Sequence, residues 1–443
     1  MNNRERLGSR LGFIMLSAGC AIGCGNVWKF PWMCGQYGGG GFVLVYLLCL
    51  LLLGLPVLTM EFSVGRAAQT SPIRMYPTLS GGRWTVWGYL ALLGNVALMA
   101  FYSVVAGWML CYFTRFVTGD LNNLGFVPMI TDPVLNVVFL LVTVTIAFIV
   151  LSFNVQNGLE RVTKSMMIVL LALMVVLAFH SLTLPDAGKG LAFYLVPDFS
   201  KINGEVVAGA MNQAFFTLSV GMGGMAIFGS YIDKDHSLMG EAANVIALDT
   251  FVAVIAGLII FPACSSYGLE VTAGPSLLFD TMATVFTHMA GGRWWGALFF
   301  LFMVFAALST VLGVCENILA MVRELTGWSR PVGSTVCGAA VFLLGLTTAL
   351  GFSVWSFQPF APGSTWLDFW DFVVSNNVLP LGSLVLALFC CNAFGWGWDA
   401  FLAEANAGQG IRVRNWMKPL FRFFVPAVIV FLYLYAMVNF SWR

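Results

Sequence analysis

The sequence predicts an all-α polytopic membrane protein in which two inverted five-helix repeats, each opening with a broken helix (helices 1 and 6), are followed by one extra helix. Three observations predict it. The chain of 443 residues is 59% hydrophobic and 9% charged, whereas soluble domains carry roughly 25% charge. Apolar stretches of about 20 residues, the length that crosses a bilayer, recur along it. Two of these stretches, at corresponding places in the two halves, contain glycine-rich interruptions.

The predicted spans form a single membrane domain that covers residues 1–443. The first repeat is expected over 10–184, the second over 207–395, and helix 11 over 417–439. The eleven predicted spans are 10–36, 41–65, 85–117, 133–152, 162–184, 207–232, 240–268, 293–324, 334–353, 366–395 and 417–439.

Lysine and arginine positions predict the orientation of these spans. Positive residues accumulate in the cytoplasmic loops of membrane proteins. With the N-terminus in the cytoplasm, fifteen of the 21 Lys and Arg residues lie at cytoplasmic ends of spans and six lie outside. The expected location is the cell membrane, with the N-terminus inside and, because the number of spans is odd, the C-terminus outside.

Two glycine-rich interruptions indicate where chemistry takes place. Residues 19–26 contain three glycines and an asparagine, and residues 219–224 repeat the pattern about two hundred positions later. Glycine disfavours helix, and unpaired backbone groups in hydrocarbon cost several kcal/mol each. Paired broken helices are typical of a transport site near the middle of the membrane. No catalytic set of metal-ligating or nucleophilic residues at one depth is visible, so an enzyme is not expected.

Ordered motifs along most of the chain resemble those of the neurotransmitter:sodium symporter family, including the bacterial leucine transporter. The opening motif is GCAIGCGNVWKFPW, which starts at Gly19. It is followed in order by GGGGFVLVY (38–46), PVLTMEFSVGR, AFYSVVAGW, QAFFTLSVGMG (213–223), ALDTFVAVIAG (247–257) and FAALSTVLGVCEN (305–317). The resemblance implies sodium-coupled import of amino acids by alternating access.

Two sodium sites are implied by the resemblance. A hard cation prefers oxygen ligands, and an interrupted helix frees carbonyl groups. The first site is implied to use the Ala21 carbonyl, the Asn26 side chain, Thr217 and Asp249; the second is implied to use the carbonyls of Gly19, Ile22 and Ala306 and the hydroxyls of Ser309 and Thr310. These two hydroxyls could instead bond within their own helix.

Asp249 is expected to make transport independent of chloride. Family members often have asparagine at this position, and animal members add a chloride ion nearby. A carboxylate inside a membrane is costly and functional by default, and here it would replace the charge of chloride. Ala253, one turn later, offers no hydroxyl to a chloride ion. The alternative is that Asp249 lies near the cytoplasmic end of its helix and has no such role.

Gly23 is expected to select amino acids over amines. Monoamine carriers of the family have an Asp at this position, so glycine leaves space and amide donors for a carboxylate. The resemblance implies that the carboxylate meets the amides near Cys24 and Gly25 and the Tyr102 hydroxyl, and that the ammonium meets Ala21, Phe216, Thr217 and Ser219. The side-chain pocket, which favours large hydrophobic or aromatic residues, is implied to comprise Cys24, Leu98, Val105, Phe216, Met222, Thr310 and Val314.

Gates are expected on both sides of this site. Outside, Lys29 and Asp368 match a charged pair above the lid formed by Tyr102 and Phe216. Inside, Arg4 and Glu324 match the cytoplasmic pair, with Ser230 and Tyr231 as further partners. The buried acids Glu61 and Glu316 are expected to be structural.

Several alternatives remain open. A proton-coupled permease of the same architecture would use Asp249 to carry the proton, although Ser309 and Thr310 favour sodium. A membrane enzyme, a sensor and a channel are the rivals from other classes. With no twelfth span to offer a pairing surface, a monomer is expected.

Overall fold

The fold is built almost entirely from helices that run through the thickness of one bundle. The structure, a computed structural model, describes residues 7–269 and 276–440. Within these ranges the β pairings are isolated bridges, Gly39 with Pro197 and His236 with Gln409. The main helices are α1 (Arg10–Ala21), α2 (Gly25–Gln36), α3 (Gly40–Ala68), α4 (Pro72–Ser80), α5 (Gly82–Thr118), α6 (Pro133–Ser152), α7 (Val155–Leu182), α8 (Ala187–Leu195), α9 (Gly204–Leu218), α10 (Gly224–Gly229), α11 (Leu238–Ser266), α12 (Ala283–His288), α13 (Gly292–Thr326), α14 (Arg330–Leu350), α15 (Trp366–Cys391), α16 (Trp398–Ala405) and α17 (Asn415–Val438).

The predicted spans are recovered with small shifts of their ends. In the described part of the chain, nine helices are long and apolar enough to cross a membrane, and α1 with α2 forms a tenth, bent by 53°. The remaining predicted span, 207–232, corresponds to α9 and α10, which have 15 and 6 residues. The predicted span 366–395 ends earlier, at Cys391, because the chain turns there and the Trp396 amide donates to the Phe389 carbonyl over 2.8 Å.

Polar residues at the helix ends set where several helices begin. Asp132 accepts from the Leu135 amide at 3.0 Å at the start of α6, and Asn203 accepts from the Val206 amide at 3.0 Å at the start of α9. Ser9 caps α1 in the same way through the Gly12 amide. Such caps satisfy amides that have no partner within the helix.

The two broken helices lie at the centre of the bundle. The long helix α13 packs along α5, and α11 packs along α7. Helix α1 lies between α13, α11 and α7, while α10 packs against the second half of α3. This arrangement buries both interruptions, so their free backbone groups face protein and not lipid.

Candidate functional site

Each interruption has a distinct backbone cause. Helix α1 ends at Ala21 because Ile22 is extended, with φ −73° and ψ 99°, and α2 starts with a π-helical turn at Gly25. Between α9 and α10, positive φ angles occur at Ser219 (50°), Gly221 (91°) and Gly223 (77°). Glycine adopts such angles at little cost, whereas Ser219 does so with strain.

Glu61 holds the second interruption in place. Its fully buried carboxylate accepts hydrogen bonds from the amides of Gly221, at 2.7 Å, and Met225, at 3.1 Å. Gly221 follows the end of α9 and Met225 lies in the first turn of α10, so neither amide has a partner within a helix. Charge-assisted hydrogen bonds to amides are among the stronger ones. Glu61 therefore acts as a structural acid for the break.

Three side chains meet around the Asp249 carboxylate. The Asn26 amide donates to the Asp249 carboxylate at 2.9 Å and to its backbone carbonyl at 3.0 Å. The Thr217 hydroxyl donates at 3.0 Å, and the Tyr46 hydroxyl lies 3.5 Å away. Asp249 is completely buried. Within the described ranges, no cationic side chain contacts this carboxylate, and buried charges in proteins are paired or coordinate metals. The oxygen atoms grouped around Asp249 are therefore suitable ligands for a bound cation.

A second set of oxygen atoms converges where α13 passes α1. The Thr310 hydroxyl lies 3.4 Å from the carbonyl oxygens of Gly19 and Ile22, and the Ser309 hydroxyl lies 3.5 Å from that of Ile22. Ser309 also donates to the Ala306 carbonyl at 2.9 Å, so the local bond within the helix coexists with the cluster.

The spacing of these oxygen atoms suits an ion of the size of sodium. Around an octahedral ion with metal–oxygen distances of roughly 2.4 Å, as for the similarly sized Ca²⁺, neighbouring ligands lie roughly 3.4 Å apart. The distances between the Thr310 hydroxyl and its two carbonyl neighbours match this value. As direct hydrogen bonds, by contrast, these contacts are long.

A closed cavity lies between the two interruptions. Its free volume is about 10 Å³, room for roughly one water molecule. A bound amino acid therefore requires the lining side chains to move apart. The lining residues are Ala21, Gly23, Gly25, Leu98, Tyr102, Phe216, Ser219, Met222, Thr310, Val374 and Leu379.

Some residues that the sequence predicts for the substrate pocket do not line this small cavity. Cys24, Val105 and Val314 are buried but do not line this cavity. The Cys24 sulfur lies 4.0 Å from the Met109 sulfur, and its neighbours Gly23 and Gly25 line the cavity instead. Val374 and Leu379, which the sequence reasoning missed, line it instead. Both lie at a π-helical stretch of α15, a local distortion that no sequence motif indicates.

Gly23 and Tyr102 are in close contact. The Tyr102 hydroxyl accepts from the Cys24 amide at 2.8 Å. A Cβ atom at Gly23 would lie within 3.0 Å of the hydroxyl oxygens of both Tyr102 and Thr310. The space that the sequence assigned to a substrate carboxylate is thus already shared with these two hydroxyls.

Gln213 is a further residue that the sequence reasoning missed. Its side-chain nitrogen donates to the Gly25 carbonyl at 2.8 Å, which ties α9 to the start of α2. The residue is fully buried, and its amide oxygen has no described hydrogen-bond partner. The only feature of the sequence that could have indicated a role for Gln213 is its position in the motif at 213–223.

The predicted pairing of Lys29 with Asp368 is wrong. The Lys29 ammonium lies 3.2 Å from the Asp371 carboxylate and 3.1 Å from the Ser375 hydroxyl. Asp368 instead accepts from the Thr365 amide at 3.0 Å and hydroxyl at 2.6 Å, in the capping box that starts α15. The Lys29 ammonium also lies 4.3 Å from the centre of the Phe216 ring, so the cation contacts the predicted lid.

Of the gate predicted on the inside, around Arg4 and Glu324, only part can be placed. Arg4 lies outside the described residues. Glu324 accepts from the Ser71 amide at 2.7 Å and lies 3.7 Å from Arg74. Ser230 is buried at the end of α10, where its hydroxyl donates to the Ile227 carbonyl at 2.6 Å.

Tyr231 joins a buried charged cluster. Its hydroxyl donates to the Glu316 carboxylate at 2.9 Å, and Arg330 forms an ion pair with the same carboxylate. Glu316 is fully buried. It is therefore a structural acid, but its partners are side chains and not backbone amides as for Glu61.

Two interrupted helices that face a closed cavity, with oxygen clusters beside both, are the features that the sequence motifs predicted. The model of the sodium:neurotransmitter symporter family matches residues 4–124 and 129–443. The chain belongs to this family. It is a multi-pass membrane transporter that uses sodium, and it is not an enzyme.

The similarity to known proteins extends over nearly the whole chain. It is 35% identical over 446 residues to the uncharacterized sodium-dependent transporter YhdH of Bacillus subtilis, covering 98% of both chains. It is 24% identical to the sodium- and chloride-dependent creatine transporter 1 of Mus musculus, covering 99% of this chain and 78% of that one. The crystal structure of MhsT in complex with L-phenylalanine superimposes with a TM-score of 0.89 at 36% identity, over 98% of this chain and 100% of that one.

Proposed function

We propose that this protein is a sodium-coupled symporter that imports hydrophobic and aromatic L-amino acids by alternating access. The observation that carries the proposal is the cavity between the two interruptions, which has apolar side chains on one part of its wall and free backbone groups on the other. Leu98, Met222, Val374 and Leu379 provide the apolar part. The similarity to MhsT, whose structure holds L-phenylalanine, supports the same substrate class.

The two ends of an amino acid fit different parts of the cavity. The carboxylate is proposed to face the amides near Cys24 and Gly25 and the Tyr102 hydroxyl, where α2 begins. A helix N-terminus carries a partial positive charge that favours an anion. The ammonium is proposed to face the carbonyls of Ala21, Phe216 and Thr217 and the Ser219 hydroxyl. The side chain then contacts the apolar part of the wall.

Two sodium ions are proposed to bind beside the substrate. The first is held by Asn26, Thr217, Asp249 and the Ala21 carbonyl. The second is held by Ser309 and Thr310 with the carbonyls of Gly19, Ile22 and Ala306. Each monovalent charge that moves down the membrane potential contributes about 2.3 kcal/mol per 100 mV, which drives uptake.

The test is binding of the twenty amino acids to purified protein, with and without sodium, for the wild type and Asn26→Ala. We expect the variant to bind its best substrate at least tenfold more weakly and to need more sodium, because the amide oxygen is lost. Asn439→Ala is the matched control, since exposed Asn439 donates only to a carbonyl of its own helix. Unchanged binding by Asn26→Ala would refute the first sodium site.

We propose further that transport does not need chloride. The buried Asp249 carboxylate supplies a fixed negative charge beside the first sodium, and Ala253, which is buried one turn later, has no hydroxyl for a chloride ion. Uptake measured with gluconate in place of chloride should equal uptake in chloride. Loss of uptake in gluconate would contradict this assignment.

Proton coupling is the second candidate, and it is favoured by the complete burial of the Asp249 carboxylate, beside which the described residues place no cationic side chain. In that case Asp249 would bind a proton in each cycle. Uptake in sodium-free buffer with an imposed proton gradient distinguishes the two: a sodium symporter shows none, whereas a proton-coupled permease shows robust uptake.

Alternating access is proposed to involve two inverted repeats, 10–184 and 207–395, with the helix at 417–439 outside them. Movement of α1, α2 and α3 with α9, α10 and α11 against α5, α6, α13 and α14 would expose the cavity to either side. The protein is proposed to act as a monomer, with its N-terminus in the cytoplasm and its C-terminus outside. Protease accessibility of tags at the two termini tests the orientation.

A further inference from the structure

A strongly basic segment spans the start of the last membrane-crossing helix, α17. Residues 412–422, here called the basic segment, contain Arg412, Arg414, Lys418 and Arg422. No Asp or Glu occurs between Ala405 and the end of the sequence. The proposed transport mechanism uses none of these residues.

Arg412 and Arg414, the first two cations of the basic segment, lie on either side of a buried residue whose backbone is held by hydrogen bonds. Val413 is 2% exposed, whereas Arg412 and Arg414 on either side of it are exposed. The Asn406 side chain forms two hydrogen bonds with the Val413 backbone, each 2.8 Å long. Alternate residues of extended chain point to the same side, so both arginines project away from the bundle. Their backbone is already ordered, which lowers the entropic cost of binding a ligand.

The charge of the basic segment is not neutralised by the protein. In the part of the chain that the structure describes, none of its four cations forms an ion pair with a carboxylate. The nearest buried acid along the chain, Glu404, is engaged by Arg66 and Lys234. The buried Nε of Arg422 has no described hydrogen-bond partner.

Apolar side chains and a groove accompany these charges. Trp416 is 72% exposed and Phe423 is 63% exposed. An open groove of about 610 Å³ runs beside the arginines and is lined by Leu402, Asn406, Gly410, Ile411, Arg412, Val413, Arg414 and Asn415. Helix α17 begins at Asn415 and leads into the membrane, so the groove lies where headgroups meet hydrocarbon. Exposed tryptophan is typical of this depth.

We infer that the basic segment binds the phosphodiester headgroup of an anionic phospholipid. Arg412 and Arg414 offer planar donors that match phosphate oxygens, and clusters of cations beside a membrane helix attract anionic lipids. The acyl chains would lie along α17 next to Phe423. The exposed apolar residues favour a lipid over a soluble phosphate compound. This site is independent of the proposed substrate and sodium sites.

The test uses the full-length protein in nanodiscs that contain equal parts of phosphatidylcholine and phosphatidylglycerol. Native mass spectrometry measures the ratio of the two lipids that remain bound after release. We expect the wild type to retain mainly phosphatidylglycerol. In Arg412→Gln/Arg414→Gln, the ratio of bound phosphatidylglycerol to phosphatidylcholine should fall about fivefold for each cation removed. The charge-preserving Arg412→Lys/Arg414→Lys should lose less than the glutamine variant.

The matched control is Arg161→Gln/Lys164→Gln, which removes two cations from another helix end and should keep the wild-type ratio. The inference is overturned if the Arg412→Gln/Arg414→Gln variant keeps the wild-type ratio, or if the control loses as much. Displacement of the lipid by inorganic phosphate would also overturn it. Sodium-dependent amino-acid binding, measured on the same samples, should be unchanged, so a failure here is distinct from a failure of the proposed function.

Discussion

Replacing Gly23 with alanine tests how closely the site is packed around the first interruption. The added methyl group would lie within 3.0 Å of the hydroxyl oxygens of Tyr102 and Thr310, whereas ordinary contacts begin at 3.4 Å. Both hydroxyl groups must therefore move away from the new methyl group. One of these groups is proposed to bind the substrate carboxylate and the other a sodium ion.

The size of the effect follows from these contacts. Movement of Tyr102 disrupts the 2.8 Å hydrogen bond that its hydroxyl accepts from the Cys24 amide. The loss of one hydrogen bond costs about 0.5–1.5 kcal/mol, and overpacking of a tight site costs about 1–3 kcal/mol. A combined penalty of about 2 kcal/mol weakens substrate binding by roughly thirtyfold.

The assay is equilibrium binding of radiolabelled substrate to purified protein at saturating sodium, together with a thermal melting curve. Gly188→Ala is the matched control, because a Cβ at exposed Gly188 meets nothing within 4 Å. In Gly23→Ala/Tyr102→Phe the clash with the Tyr102 hydroxyl is gone, so the two effects should be less than additive. The reasoning fails if Gly23→Ala binds within twofold of the wild type, or if Gly188→Ala loses as much affinity.

Two further predictions concern charged groups around the site. Asp371→Asn removes the partner of Lys29 and should speed substrate release several-fold in a dissociation assay, because the ion pair is only partly buried. Asp368→Asn should leave the release rate unchanged and only lower the melting temperature. Faster release from Asp368→Asn than from Asp371→Asn would contradict the assigned pair. Arg330→Met leaves the fully buried Glu316 without its cation and should lower the free energy of unfolding by about 3–5 kcal/mol, seen as a lower melting temperature that Arg330→Met/Glu316→Gln partly restores. Equal melting of the single and double variants would show that the buried charge is not the cause.

The helical membrane fold could be predicted because it depends on local composition. A long run of apolar residues crosses the membrane as a helix, because its backbone amide and carbonyl groups can form hydrogen bonds only with each other in hydrocarbon. Glycine-rich interruptions of such runs are visible in the sequence. Helix ends were less predictable. The end of α15 at Cys391 depends on a hydrogen bond between Trp396 and Phe389, two residues that no pattern in the sequence connects.

The candidate site could be predicted where a residue acts through its backbone or through a motif of fixed spacing. Asn26 and Asp249 are 223 positions apart, yet each lies in its own recognisable motif, and the structure brings them to 2.9 Å. The motif gives the position of Cys24 but not the direction of its side chain, so the sequence could not show that Cys24 does not line the small cavity. Val374 was missed because it lies in no motif.

The sequence by itself determined which segments cross the membrane, where two of them break, and which polar residues are available there, because these properties follow from composition along the chain. Only the tertiary structure decided which of two nearby acids meets Lys29. Asp368 and Asp371 are equivalent in sequence, but the N-terminal amides of α15 engage the first. The second, nearly one helical turn further on, is left on the face toward Lys29. Such choices depend on how separate helices are oriented, and packing sets that orientation.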